Sequence, residues 1–438
     1  MFLSRFRRCL LVEKTSFCIV IFCLFRRITS LCSSRRQLAR IRVVCLILYA
    51  VTLLVVVQPN LLHNVRRAVL RSYENITADL LNSMKRANTD RITQAENYFS
   101  SLNDSGIQYR HSEAASDGAV TVALTTITVS RNRHRIDDYE PKYLTQTIWK
   151  FHTLLEKWRP LNRSLRIRMT ICNVDADVAS YQEADALSKF VPMFSRFNQS
   201  HVSAVHFLEK EKQDYAFCLN SSLEIHQEAD YIFLVEDDAL PTDNVFEVLQ
   251  HVLEQHVERS YARGEFRHKS SNIAYIKFFH PDWLLSFISF QPERLPELVS
   301  YAALLSTMLT IVYVVTCGST STVDVLWKRA FMLSVIVVLA YGRAGISEWR
   351  RFASPYFYSY TPAPSCCTQA LLFPRSTAHL TVNYLSKSTC EPNFGKDSVL
   401  DRMLNDLQMT AYLVQPNTFT HVGLYSTLRS HIVNPLLM

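Results

Sequence analysis

Apolar residues are spaced along this chain in two ways: long unbroken runs, and short β-branched runs that alternate with helical periodicity. Val43 to Val57 (VVCLILYAVTLLVVV) is uninterrupted apolar sequence. With Ile41 and Leu61/Leu62 it reaches the roughly 20 residues that span a bilayer, Arg42 snorkelling to the surface. It reads as a transmembrane helix; a cleaved signal peptide is the alternative, and the run lies deep and lacks a small-residue cleavage site. Far downstream, Leu298 to Thr316 carries no charge, and Ala330 to Gly342 follows after a short polar loop, bounded by Trp327, Lys328, Arg329 and Arg343. The pair predicts a helical hairpin, either in a membrane or buried in a core.

Between these runs the pattern is α/β. Strands are expected at Ala119 to Val129, Leu165 to Cys172, Val202 to Leu208, Tyr231 to Val235 and Asn272 to Phe278, with helices at Lys142 to Trp158, Glu183 to Phe190 and Asp214 to Gln227. After the hairpin come a strand at Gln369 to Phe373 and helices at Thr377 to Ser386 and Ser398 to Asp406. Alternation of this kind predicts a mostly parallel sheet with its ligand crevice at the strand C-termini. The implied organisation is a basic tail (1–42), a membrane helix (43–62), a stem (63–115), a first domain segment (116–296), the hairpin (297–344) and a second domain segment (345–438).

Charge sharpens the topology. The net charge of +8 is concentrated before residue 43, where Arg5, Arg7, Arg8, Lys14, Arg26, Arg27, Arg35, Arg36, Arg40 and Arg42 face the single acid Glu13. A basic tail beside a near-neutral body points to a membrane face rather than nucleic acid. By the positive-inside rule the tail is cytoplasmic, the bulk of the chain lumenal, and the hairpin loop with Lys328 and Arg329 cytoplasmic. Asn75, Asn103, Asn162, Asn198 and Asn220 head N-x-S/T triplets, all between the first membrane run and the hairpin. Cys172, Cys218, Cys366, Cys367 and Cys390 have no zinc-type spacing, so disulfides in an oxidising lumen are expected, with one thiol left over or Cys366 and Cys367 bridged to each other. The 8 Gly exclude the dinucleotide fingerprint and the P-loop, because no two are spaced as either requires.

The strand YIFLV delivers Glu236, Asp237 and Asp238 into a turn closed by Pro241. Carboxylates at the end of a parallel strand suit a hard divalent cation, which takes one or two of them plus substrate phosphates. A solvated turn is the alternative, and Asp175-Ala176-Asp177, also after a strand, is a competing site.

YIFLVEDDALP, in a chain of this membrane topology, resembles the acidic metal motif of GT-A glycosyltransferases. Gln415 to Leu428 (QPNTFTHVGLYSTL) is similar to the P-x-x-F-x-H-V-G-x-x-S-x-L ending of the branching N-acetylglucosaminyltransferases. A GT-A domain split by a tandem membrane hairpin resembles the post-GPI-attachment GalNAc transferase family over about residues 40 to 430. That resemblance implies a Golgi multi-pass membrane enzyme with a lumenal catalytic domain. Its donor would be UDP-GalNAc, its cofactor Mn²⁺ or another divalent cation, and its acceptor the first mannose of the GPI glycan of GPI-anchored proteins. It further implies Asp238 as direct metal ligand with His421 near the metal or diphosphate, Glu236 and Asp237 toward the ribose and second shell, and Val129, Ser130 and Arg131 beneath uridine. Asp397 is the implied general base and Asp401 the second candidate; a helix N-cap is the ordinary use of an Asp at position 397. The rival readings are an N-acetylglucosaminyltransferase acting on N-glycans and a non-catalytic membrane protein with a degenerate transferase fold.

Overall fold

The structure is a computed structural model that describes residues 78–105, 119–131, 139–158, 164–198, 206–258, 272–282, 284–287, 294–317, 323–392, 394–426 and 431–432. The basic tail and the first membrane run lie outside the described residues. The chain forms two compact units, one containing 286–346 and the other 70–285 together with 347–438.

The larger unit is built on an eight-stranded sheet in the order β3-β2-β1-β4-β8-β6-β9-β7. Its strands are β1 (Val120–Thr128), β2 (Leu165–Asn173), β3 (Met193–Ser195), β4 (Tyr231–Glu236), β6 (Ile273–Lys277), β7 (Ser359–Pro362), β8 (Ala370–Pro374) and β9 (Thr410–Gln415). The pairs β1–β2, β2–β3, β1–β4 and β6–β9 are parallel. β8 is antiparallel to both β4 and β6, and β7 to β9. The sheet is thus mostly parallel, with antiparallel pairings confined to strands that follow the apolar hairpin.

Along β1, Val122 and Leu124 enter one core while Ala123 enters the other, the alternation a strand imposes between two covered faces. The first face is covered by α1 (Ala78–Ser105), α2 (Tyr143–Trp158), α3 (Gln182–Ser188) and α5 (Val245–Val252). The second is covered by α4 (Phe207–Ile225), α9 (Arg375–Lys387) and α10 (Lys396–Asp406). α1 lies in the segment read as a stem, yet it docks through Phe99 and Leu102 into the core and Arg91 donates to Gln146 at 2.6 Å.

Two sequence expectations shift. The strand expected at Val202 to Leu208 does not include Phe207 and Leu208, which open α4; residues 202–205 lie outside the described residues, and among the described residues the strand beside β2 is the short β3. β7 and β9 were not anticipated. Cys172 of β2 bridges Cys218 of α4 with a Cα separation of 5.8 Å, Cys366 bridges Cys367, and Cys390 stays a thiol.

In the other unit, α6 (Leu295–Cys317) and α7 (Val323–Tyr341) pack against each other. Trp327 donates to Thr307 at 3.1 Å, and Arg343, the first residue of α8 (Arg343–Ala353), pairs with Glu297 at 2.7 Å. These contacts run α6 and α7 antiparallel and bring their outer ends together. Leu304, Met308, Ile311, Met332 and Ile336 are exposed. Among the described residues one helix, over Leu295–Val315, is long and apolar enough to cross a membrane; α7 carries Asp324, Lys328 and Arg329 in its first turns.

Candidate active site

β1 and β4 end level with each other, Ile127 opposite Glu236, and a cavity of ≈ 1040 Å³ opens beyond them. Val129, Arg131 and the acidic trio line it from the first chain segment; Lys396, Asp397, Asp401, His421 and Gly423 line it from the second. This is the crevice that an open α/β sheet creates at its strand ends.

The three acids of the trio have different surroundings. Glu236 Oε1 accepts from Thr368 at 3.0 Å and from Lys396 at 2.8 Å. Asp237 turns inward: its Oδ2 accepts from Thr128 at 2.6 Å and Arg131 at 2.5 Å, and its carbonyl accepts from Thr147 at 2.7 Å. Asp237 lines the cavity and at the same time tethers Arg131. That guanidinium sits 4.8 Å over the Tyr143 ring and reaches Asp238 Oδ2 at 3.4 Å. Burial pushes the Asp237 carboxyl up against the pull of Arg131. Burial acts the same way on Asp238, but His421, Arg131 and Lys396 outweigh it and hold that carboxylate below the usual range.

His421 reaches Asp238 through a two-stranded ribbon, β5 (Ala239–Pro241) antiparallel to β10 (Phe419–His421), with His421 opposite Ala239. The Val422 N–H donates to the Asp238 carbonyl at 2.8 Å, and His421 Nε2 lies 3.5 Å from Asp238 Oδ2. Gly423 completes the cradle: a Cβ there would stand 2.6 Å from Asp238 Oδ2 and 3.1 Å from His421 Cε1. Asp238 Oδ1 is buried without a hydrogen-bond partner. A free carboxylate oxygen, a neighbouring imidazole and a space that a methyl group would fill fit a hard divalent cation. Among the described residues no group of three His, Cys, Asp or Glu side chains converges on one point, so the remaining ligands would be diphosphate oxygens and water.

Across the cavity, α10 begins at Lys396 with Gly395 as its N-cap. Asp397 is therefore not the cap. Its Oδ2 accepts the Cys367 N–H at 2.9 Å and its Oδ1 has no hydrogen-bond partner. Asp401 lines the cavity one turn further along. Lys396 is buried beneath them, 2.6 Å from Glu211 and 2.8 Å from Glu236, and 5.3 Å from the Tyr215 ring centroid. Burial pulls its pKa down, but the two glutamates outweigh burial and hold the ammonium charged.

Of the residues expected under uridine, Val129 and Arg131 reach the cavity. Ser130 does not line it: the residue is buried and its N–H donates to Asp175 Oδ2 at 2.9 Å. The same Asp175 accepts from the Asp177 N–H at 2.7 Å, so the Asp175-Ala176-Asp177 motif closes a turn beneath Ser130, and neither aspartate lines the cavity. Sequence reasoning missed Lys396, Glu211 and Gly423. Two of them stood beside singled-out residues, in Gly395-Lys396-Asp397 and His421-Val422-Gly423, while the value of Glu211 depends on a helix register that only the fold supplies.

The model of the family described as GPI-N-acetylgalactosamine transferase PGAP4 matches residues 122–420, from β1 through β10 and across the hairpin. The match covers both segments that build the cavity and more than half of the chain, so the chain belongs to the GPI-N-acetylgalactosamine transferase family.

Proposed function

We propose that this protein transfers N-acetylgalactosamine from UDP-GalNAc to the first mannose of the GPI glycan on GPI-anchored proteins. The reaction is divalent-cation dependent, preferably with Mn²⁺, and takes place on the lumenal face of the Golgi membrane. The observation that carries this reading is the meeting of Asp238 with His421 and Asp397 around one cavity, from segments on either side of an apolar hairpin.

Asp238 and His421 would hold the cation, which when bound supplies Lewis-acid stabilisation of the leaving diphosphate. Arg131, fixed by Asp237, orients Asp238 and adds positive charge on the same side. Val129 and Glu236 border the space for the nucleoside. Asp397 takes the proton of the acceptor hydroxyl as that oxygen attacks the anomeric carbon and the sugar–phosphate bond breaks, with Asp401 the second candidate for this role. A carboxylate base without a protein nucleophile implies inversion at that carbon. The hairpin, with the apolar run Val43 to Val57 read from the sequence, would anchor the enzyme in the bilayer that holds its lipid-borne acceptor, which raises the effective concentration of acceptor at the site.

The test uses full-length protein in detergent, radiolabelled UDP-GalNAc or UDP-GlcNAc, and GPI or N-glycan acceptors. GalNAc transfer to GPI is expected, lost by on the order of 10²- to 10³-fold in Asp238→Ala. GlcNAc transfer to the N-glycan would replace this reading by the branching one. Near-wild-type GalNAc transfer by folded Asp238→Ala would remove the site.

A further inference from the structure

The loop that enters β8 is built in an unusual way. Cys366 and Cys367 are joined side chain to side chain, and both have left-handed backbones, φ 81° and 74°. Side chains with a Cβ rarely adopt that conformation, and a run of two is rarer still. The loop is clamped from below by Lys277, the last residue of β6, whose ammonium donates to the Pro364 carbonyl at 2.9 Å and to the Cys366 carbonyl. Lys277 is itself buried and shares no contact with the cavity. From above, the loop gives its Cys367 N–H to Asp397 Oδ2 and the Thr368 hydroxyl to Glu236 Oε1.

We propose that the Cys366–Cys367 cystine and Lys277 are positioning residues for Asp397: together they hold the Cys367 N–H where it fixes one carboxylate oxygen, Oδ2, and leaves Oδ1, buried and without a partner, as the oxygen that takes the acceptor proton once the acceptor is seated. This rests on the reading of Asp397 as the base. The geometry supports it in three ways. The carboxylate is asymmetric, with Oδ2 engaged and Oδ1 without a partner. The N–H that engages it belongs to a residue whose backbone direction is set by the adjacent bridge, not by a helix or sheet ladder. Opening the bridge removes the constraint that keeps two consecutive residues left-handed, so the loop is free to return to ordinary φ and carry the N–H away.

Two observations make the test selective. Cys366 is half-buried and lines the cavity, whereas Cys172 and Cys218 are both 0% exposed. A dithiol such as dithiothreitol therefore reduces the vicinal bridge first. The S–S bond takes up two electrons and two protons to give two thiols, and the dithiol closes into its own cyclic disulfide.

The experiment compares the full-length enzyme, Cys366→Ser/Cys367→Ser, Lys277→Met and Asp397→Asn, each with kcat, KM for UDP-GalNAc and thermal unfolding. The serine pair is expected to lose on the order of 10- to 100-fold in kcat, as displacement of a reacting group by about an ångström does, with KM for the donor within about twofold. Brief reduction of the wild type should reproduce that loss and reoxidation reverse it, while the serine pair ignores both treatments. Lys277→Met should fall in the same direction. A folded serine pair with wild-type kcat overturns the proposal. If the pair does not fold, an unchanged kcat in wild type whose Cys366 and Cys367 are shown by mass spectrometry to be reduced overturns it equally. Loss of donor affinity in step with kcat would mark a general collapse of the site and also count against it. Asp397→Asn separates the two ideas: full activity there removes the base itself, whereas an inactive Asp397→Asn beside a fully active serine pair removes only the positioning role.

Discussion

Gly423→Ala puts the smallest side chain into the space between Asp238 and His421. Gly423 is not among the glycines with positive φ, so an alanine meets no backbone penalty there, and the substitution tests space alone. The new Cβ would lie 2.6 Å from Asp238 Oδ2, where carbon and oxygen ordinarily stand well above 3 Å apart, and 3.1 Å from His421 Cε1. Something must retreat by about half an ångström to an ångström. Asp238 is the group that moves, because the Gly423 backbone is stitched to it through the Val422 N–H and His421 flanks it on the β10 side. A misplacement of that size in a site that positions charge costs roughly 10- to 100-fold in rate, which is about 1.4 to 2.7 kcal/mol of transition-state stabilisation. The same overlap should cost about 1 to 3 kcal/mol of stability, as forcing a methyl into a filled site does, which leaves the protein folded at the assay temperature. The assay is kcat/KM for GalNAc transfer across a Mn²⁺ titration, with a thermal melt on the same sample. A variant that is folded at the assay temperature but needs more Mn²⁺ and turns over more slowly supports the cradle. Wild-type kcat/KM with an unchanged Mn²⁺ requirement refutes it, whatever Asp238→Ala does.

Lys396→Met strips the cation from between Glu211 and Glu236, whose side chains are 25% and 23% exposed, so a loss of about 1 to 3 kcal/mol in chemical unfolding is expected; no measurable loss would show the charges to be fully solvated. Glu183, which accepts from the Thr145 N–H and hydroxyl, is pushed up to about 7 chiefly by burial. A carboxyl raised in the folded state adds stability that is complete below its unfolded pKa and fades as pH rises through its folded one, so stability should decline from about pH 4.5 to about pH 7 and Glu183→Gln should flatten that decline in pH-dependent melts. In sealed microsomes a tag at Ser319 to Thr322 should be digested and one after Met438 protected; protection of the loop tag would overturn the membrane placement of the hairpin. Replacing Leu298 to Gly342 by a flexible linker should lower transfer to membrane-embedded GPI far more than transfer to a delipidated glycan, and equal effects on both acceptors would show that the hairpin does not serve acceptor access.

The parts of this fold that could be read from sequence are those whose burial writes a local pattern. β1 and β4 are covered on both faces and appear as apolar or β-branched runs, β2 alternates Arg166 and Arg168 with buried Leu165, Ile167 and Met169, and Glu236-Asp237-Asp238 stands out because it ends an apolar run. β9 was missed because its apolar run, Ala411 to Val414, is only four residues long, too short to be told from the end of the preceding helix until β6 and β7 flank it. The end of the strand expected at Val202 to Leu208 is helical instead: Phe207 and Leu208 open α4 and His206 caps the Leu208 N–H, a signal that a run of apolar residues hides. Within the site, Asp238, His421 and Asp397 were found through motifs. Their division of labour was not, since what separates Asp237 from Asp238 is which one Arg131 and Thr128 hold inward, and those partners lie more than a hundred residues away.

The same long separations explain how a catalytic unit tolerates an interruption in mid-chain. β8 follows the hairpin, yet it lies between β4 and β6, which precede it, and β10 pairs with β5 across the same break. The two segments are interleaved strand by strand, so neither holds a complete sheet or a complete site: the first has Asp238 without His421, the second Asp397 without the acidic trio. Closing a loop over the roughly sixty residues between Leu285 and Ser347 would cost a few kcal/mol if they were flexible chain. They are not, because α6 and α7 run antiparallel and a 2.7 Å ion pair between the Glu297 and Arg343 side chains ties their outer ends together. An insertion that returns to its own starting point behaves as a short loop, which leaves β6 and β8 free to pair as though the chain between them had hardly lengthened.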